Sequence, residues 1–307
     1  MENLQDLYRI IEKGTGLDID GILPADINKA IGHFNVFSVK ELMQNSKEKP
    51  FMPYDQRTYY KISLIVGQNR AEYADKVIDI ENKAMLFASP RVPYSWCPKD
   101  LNQNGYFCVF TKDFLNFNKS DVSLDDLPIF KPGGYPVFSL SDDEANNVEL
   151  VFKKILTEIK SNYPYKYDLI RSYVLELIHL GQKHQTSAGL YAENKSSARV
   201  SSLFIELLER QFPINSRNQQ LQLRTAKDYA DRLSIHVNHL NKVLKENTGR
   251  TTTEIISSRI IQEAKILLKQ TNWSVSEIAY SLGFDEISHF SGFFKKQTLL
   301  TPLQFRS

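Results

Sequence analysis

The chain has 307 residues, a net charge of +2, 42% hydrophobic and 24% charged side chains: room for two compact domains and an ordinary globular composition. No apolar run approaches the roughly 20 residues of a membrane helix. The N-terminal MENLQDLYRIIEKG lacks the basic-then-apolar pattern of a signal segment, so a cytoplasmic chain with no membrane partner is expected.

From about Phe34 to Phe138 the sequence is a series of short β-like runs. Tyr59–Val66, Lys83–Phe87, Tyr106–Phe110 and Tyr135–Leu140 are separated by turn-forming stretches such as Gly67-Gln68-Asn69, Ser89-Pro90 and Lys131-Pro132-Gly133-Gly134. That spacing predicts an antiparallel barrel or sandwich. Cys97 and Cys108 are too few for a disulfide framework or a zinc site and read as free thiols.

After Ser141 the pattern becomes helical. Ser141-Asp142-Asp143-Glu144 has the form of a capping box, and Val148, Val151, Phe152, Ile155 and Ile159 follow on one face. A second helix is expected over Lys166–His184, either helix serving as a brace within the domain, the first equally as a dimer contact. A polar loop is expected over Gln185–Ala198, then a short helix up to Gln211 and a linker over Pro213–Gln219. The implied organisation is a β-rich sensor or regulatory domain (1–160), a helical dimerisation and linker segment (161–217) and an all-α domain (218–307).

The charge is unevenly divided. From Arg217 onward thirteen Lys/Arg face eight Asp/Glu, whereas the preceding residues hold 25 basic and 28 acidic side chains. A basic C-terminal part on a slightly acidic larger one suggests a polyanion-binding module.

That C-terminal part contains an internal repeat. Ala226–Leu233, a turn at Ser234-Ile235 and a helix over His236–Glu246 closed by Gly249 form one copy. Ser276–Leu282, a turn at Gly283-Phe284 and a helix over Asp285–Lys296 form the other. Ala230 answers to Ala279, Leu233 to Leu282, Leu240 to Phe290, Leu244 to Phe294 and Lys245 to Lys295. A helix, a tight turn and a second helix make a helix-turn-helix unit. The two units are joined by a long amphipathic helix, Thr253–Gln270. Where the first copy stops its helix with Gly249 the second has Leu299, so the stop there is expected from Thr301-Pro302.

The segment Leu221–Arg306 resembles the DNA-binding domain of AraC/XylS-type transcription regulators. The resemblance is densest over Ile278-Ala279-Tyr280-Ser281-Leu282-Gly283-Phe284, Phe290, Phe293-Phe294-Lys295-Lys296 and Thr301-Pro302-Leu303-Gln304-Phe305-Arg306. The first copy contributes Leu240–Gly249. The N-terminal part is more loosely similar to the cupin-like sensor domains of that family, Ser89–Trp96 being the closest stretch. The resemblance implies a DNA-binding regulator, more often an activator than a repressor, with double-stranded DNA as partner. A small-molecule effector, a homodimer and, for an activator, RNA polymerase complete the expected partners. The alternative is the same DNA-binding tail on an N-terminal module that only interacts with protein and takes no effector.

In a helix-turn-helix the second helix enters the major groove. In the first copy Leu240, Val243 and Leu244 face inward, leaving His236, Asn238, Asn241, Lys242 and Lys245 for DNA; the resemblance places base reading at Asn238, Asn241 and Lys242. In the second copy Ser288, His289, Ser291, Lys295 and Lys296 are the corresponding set. Gly292 stands where the family usually extends a long side chain, so base discrimination is expected to rest mainly on the first copy.

No catalytic site is expected. Residues 1–160 hold a single histidine, His33, too few for a cupin metal site, and no phosphate loop, nucleophile elbow or triad stands out; no cofactor is expected. An effector site is placed among the β runs at Arg57, Tyr60, Arg91, Tyr94 and Trp96, with Arg57, Lys61 or Arg91 available to hold an anion. A closed, largely apolar cavity would favour the effector reading over the protein-interaction one.

Overall fold

The computed structural model describes residues 4–15, 32–44, 52–55, 57–73, 76–90, 92–100, 102–115, 124–130, 136–192 and 196–306. It resolves into two compact units, Met1–Tyr73 with Val77–Ala192, and Glu193–Ser307. The division falls inside the 161–217 segment expected as a separate helical linker. Lys131–Gly134, expected as a turn, lies outside the described residues, and no described helix is long and apolar enough to cross a membrane.

The first unit begins with helix α1 (Leu4–Thr15), then β1 (Phe34–Ser38) and α2 (Val39–Gln44). Strands β2 (Met52–Asp55), β3 (Tyr60–Val66), β4 (Asn69–Glu72), β5 (Val77–Ile80), β6 (Lys83–Ala88), β7 (Tyr94–Pro98) and β8 (Asn104–Phe110) follow. The short α3 (Lys112–Leu115), β9 (Val137–Ser139), α4 (Asp142–Glu158) and α5 (Lys166–Ala192) complete it. Among the described residues all pairings are antiparallel, in a five-stranded sheet of order β1-β8-β3-β6-β9 and a four-stranded sheet of order β2-β7-β4-β5. The expected antiparallel β architecture with flanking helices is what the unit contains.

Strand β3 is covered on both sides. Successive side chains of a strand point to opposite faces. Tyr60, Ile62 and Leu64 join a core with Phe34, Phe87, Phe110 and Phe130, while Lys61, Ser63 and Ile65 turn to the other face. The first core is closed by α4 and α5 through Val148, Phe152, Ile155, Ile170, Val174 and Leu177, so both helices are braces within the unit. Ser141 and Glu144 form the expected capping box of α4. Gly181 lets α5 lie against the sheet: a Cβ there would meet the Phe87 ring at 2.3 Å.

Helix α5 runs on to Ala192, through most of the stretch expected as the loop Gln185–Ala198. Polarity misled that expectation. The stretch has no proline, and extending an existing helix costs far less than nucleating one.

The second unit is all-α: α6 (Ser196–Glu209), α7 (Ala226–Arg232), α8 (Val237–Thr248), α9 (Thr252–Gln270), α10 (Val275–Ser281), α11 (Ile287–Thr298) and α12 (Pro302–Arg306). One core runs through it, from Phe204 and Leu208 of α6 through Leu240, Ile260 and Ala264 to Phe290 and Phe294. Inside it Arg259, 1% exposed, donates to Glu209 at 3.0 Å and Glu263 at 2.9 Å. Its guanidinium lies 3.8 Å from the centroid of the Phe212 ring, and Glu263 accepts from the Ile214 N–H. Helix α6 and the segment after it are thereby tied to α9.

Candidate nucleic-acid interface and interior cavity

The two helix-turn-helix copies repeat one another down to their caps. Thr225 caps α7 in a capping box with Asp228, and Ser274 caps α10 with Glu277. At the turn, Ile235 N–H donates to Ala230 O in one copy and Phe284 N–H to Ala279 O in the other. The turn residue is left-handed in both, Ser234 at φ 56° and Gly283 at φ 79°. Past the recognition helix the chain turns left-handed again, at Gly249 (φ 72°) and Leu299 (φ 65°). Each copy thus needs two positive-φ residues and fills one of those two positions with glycine, the first at its helix stop and the second at its turn.

Leu299 corrects the expected stop of α11. The helix ends in the same left-handed cap as α8, with Leu299 N–H donating to Lys295 O, and does not depend on Pro302 alone. The Thr298 hydroxyl accepts from Leu300 N–H just as Thr248 accepts from Arg250 N–H. The repeat continues one step further than the sequence comparison took it: Thr251 and Glu254 cap α9, and Thr301 with Gln304 caps α12 in the same manner.

The side chains expected at DNA lie on the outward faces of α8 and α11. Leu240, Val243 and Leu244 of α8 are buried, and Asn238, Asn241, Lys242 and Lys245 are exposed. His236 is exposed but has a structural task, its Nδ1 accepting from Asn238 N–H at 3.2 Å as the cap of α8. Lys242 lies 3.9 Å from Glu246 with three quarters of its side chain exposed, so that contact leaves it available to phosphate. On α11, Phe290 and Phe294 are buried, Ser288, His289, Lys295 and Lys296 exposed, and Ser291 half-buried. Gly292 is exposed, and a Cβ built on it meets nothing within 4 Å. Glu286, the N-cap of α11, makes no side-chain cap.

One participant escaped the sequence. Thr252, fully buried in the first turn of α9, donates its hydroxyl to Asn241 Oδ1 at 2.6 Å. Its counterpart after α11 is Pro302, which has no hydroxyl. Only a comparison of the two copies beyond their helix stops signals Thr252.

Of the residues placed in an effector site, Tyr94 and Trp96 line a cavity of about 110 Å³ in the first unit. Lys61 lines it too. Tyr60 does not: it lies on the opposite face of β3, its hydroxyl donating to Asp125 and its ring stacked on Phe110. Arg57 is buried beneath Tyr94, 4.1 Å from that ring's centroid and donating to the Tyr94 carbonyl. Arg91 lies outside the described residues. Among the described residues no group of His, Cys, Asp and Glu side chains is placed to hold a metal ion.

A family model described as a helix-turn-helix domain matches residues 229–307. The chain is 24% identical over 208 residues to the HTH-type transcriptional activator RhaS of Mannheimia succiniciproducens, covering 68% of this chain and 71% of that one. It is 34% identical over 77 residues to RhaS of Enterobacter sp., covering 25% of this chain but 28% of that relative. Among solved structures, ToxT from Vibrio cholerae aligns with 90% of this chain and 97% of its own at 14% identity and a TM-score of 0.39.

Proposed function

We propose, from the premise that this chain belongs to the AraC/XylS-type transcription regulators, that it is an activator that places α8 and α11 in two successive major-groove segments of one DNA face and is controlled by a small molecule held in its β-rich unit. The observation that carries the DNA reading is the repetition of cap, turn and stop at both ends of α9. Nineteen helical residues span about 28 Å at 1.5 Å each, a spacer suited to groove segments about 34 Å apart. The exposed lysines of both recognition helices supply phosphate contacts, and Asn238, Asn241 and Lys242 supply base contacts. The cavity supports control by an effector rather than an N-terminal module that only contacts protein. Homodimerisation and contact with RNA polymerase belong to the same reading.

Selection of bound fragments from genomic DNA, followed by footprinting, tests the proposal. Two protected patches about one helical turn apart on one face are expected, with affinity falling steeply as salt rises. A single patch, or binding without sequence preference, would refute the two-groove reading.

A further inference from the structure

Residues 217–224, the stretch that leads into α7, lie across α10 of the second helix-turn-helix. The Leu221 N–H donates to Ser281 O at 3.0 Å, and its side chain is buried in the core of the unit. Arg217 pairs with Glu277 at 2.9 Å, and the Ser281 hydroxyl donates to the Arg217 carbonyl. At the turn, the half-buried Arg224 donates its guanidinium to the Gly283 carbonyl and lies 4.5 Å from the centroid of the Phe284 ring. The other end of this contact is fixed on the first copy, where the N–H groups of Arg224 and Thr225 both donate to the Asp228 carboxylate.

The two turns differ accordingly. Ser234 is exposed, whereas Gly283 is buried, and a Cβ at Gly283 would meet Arg224 Cδ at 2.6 Å and Leu221 O at 3.2 Å. Glycine there serves a close approach as well as a positive φ. From the turn the contact passes to the recognition helix: the Phe284 ring packs on Phe290 and Phe293 of α11, each with its centroid 5.4 Å away. A guanidinium can donate in its plane while stacking on an aromatic face, which an ammonium cannot. The Arg217–Glu277 pair is exposed and contributes little by itself, so the restraint rests on Leu221 and Arg224.

We infer that residues 217–224 form a strap that sets the angle of the second helix-turn-helix relative to the first, with Arg224 the positioning residue for α11. The inference rests on the two-groove reading above. Two recognition helices reach successive groove segments only when their separation and their tilt are both held. Helix α9 sets the separation. The strap joins the turn of one copy to the cap of the other at a second point and so restrains the tilt. Arg224 acts through Gly283 and Phe284, its guanidinium engaged within the protein.

Anisotropy titrations of the full chain test this on a duplex recovered by the genomic selection above, with either half-site scrambled in turn. The α8 half-site is the one at which Asn241→Ala relaxes base preference. Scrambling the α11 half-site should cost the wild-type chain about tenfold in affinity or more. Arg224→Met should bind the intact duplex more weakly and shrink that cost severalfold, while the cost of scrambling the α8 half-site stays as in wild type. Arg224→Lys, which keeps the charge but not the plane, should behave in the same way, and it keeps the test decisive where Arg224→Met does not melt cooperatively. A general loss of folding would weaken binding to every duplex in proportion and leave both costs unchanged, which would overturn the inference. So would an Arg224→Lys chain that matches wild type on all three duplexes, since charge alone would then suffice. A wild-type chain indifferent to the α11 half-site would refute the two-groove reading and leave nothing for the strap to position. A wild-type chain that responds to it, with both variants responding equally, would overturn the strap alone.

Discussion

The Thr252 hydroxyl donates to Oδ1 of Asn241 at 2.6 Å, so the first turn of the joining helix orients a side chain of the first recognition helix. One lone pair of the amide oxygen is occupied, and the amide NH₂ is left to donate to an acceptor on a base edge or a phosphate. Asn241→Ala is expected to weaken binding to the best operator by about 1–3 kcal/mol and to relax preference at one base pair. Thr252→Val, which touches no DNA in this arrangement, should produce part of the same loss. Anisotropy titrations against single-base operator variants measure both. Uniform weakening across all variants by Asn241→Ala would assign that residue to phosphate.

Gly292 offers a complementary test. A glycine within a helix costs roughly 1 kcal/mol relative to alanine, and the space around its missing Cβ is open. Gly292→Arg should therefore leave stability unchanged or raise it slightly, and should increase DNA affinity severalfold with a new base preference in the half-site under α11. An affinity unchanged at low salt would mean that this side of α11 does not face the duplex.

Leu299 holds φ at 65° with 85% of its side chain exposed. A left-handed conformation costs a non-glycine residue about 1 kcal/mol, and the exposed side chain recovers little by packing. Leu299→Gly should stabilise the helical unit by roughly that amount, read as a rise of a few degrees in Tm. A fall in Tm would show that Leu299 packs in solution.

The repeat made the second unit legible because two copies constrain each other: a register shared by Ala230 and Ala279, and by Leu244 and Phe294, fixes which faces are buried. It did not reveal the stop at Leu299, since a left-handed leucine runs against its propensity and follows from the geometry of the other copy. The interior site was less legible for another reason. Alternation sorts Tyr60 from Lys61 onto different faces of β3, but both faces are buried, so nothing in the pattern says which one borders a cavity. Both Tyr60 and Lys61 are therefore candidates from the sequence, and only the fold shows that Lys61 is the one that lines the cavity.

Arg259 predicts where the helical unit begins. It is paired with both Glu209 and Glu263 away from water, and removing one partner of a buried ion pair costs about 3–5 kcal/mol because the other charge is stranded. Arg259→Met should destabilise the unit by that order in urea unfolding. A fragment of residues 218–307, which lacks Glu209 and the apolar face of α6, should be markedly less stable than 196–307. Equal stability of the two fragments would show α6 to be dispensable.

His33 sets a pH dependence in the first unit. Its Nε2 shares a 2.9 Å hydrogen bond with the Tyr8 hydroxyl, which also accepts from Asn35 Nδ2, so α1 is joined to the start of β1 through this ring. Burial lowers the His33 pKa from 6.5 to about 4, because an imidazolium there would lose its hydration. The unfolded chain takes up its proton near pH 6.5 and the folded chain only near 4. The stabilisation is therefore complete above pH 6.5 and is lost as the pH falls from 6.5 towards 4. Allowing for partial solvent access, the loss is on the order of 1–2 kcal/mol. The lowered carboxyl pKa values of Glu144, Glu254 and Glu277, held down chiefly by backbone hydrogen bonds from their cap residues, act at more acidic pH and leave this window to His33. Melting of the β-rich unit between pH 8 and pH 5 should show a Tm that declines below about 6.5, and His33→Asn should flatten that decline. Parallel curves for the two proteins would place the acid sensitivity elsewhere and leave the His33 ring accessible enough to take up its proton without loss.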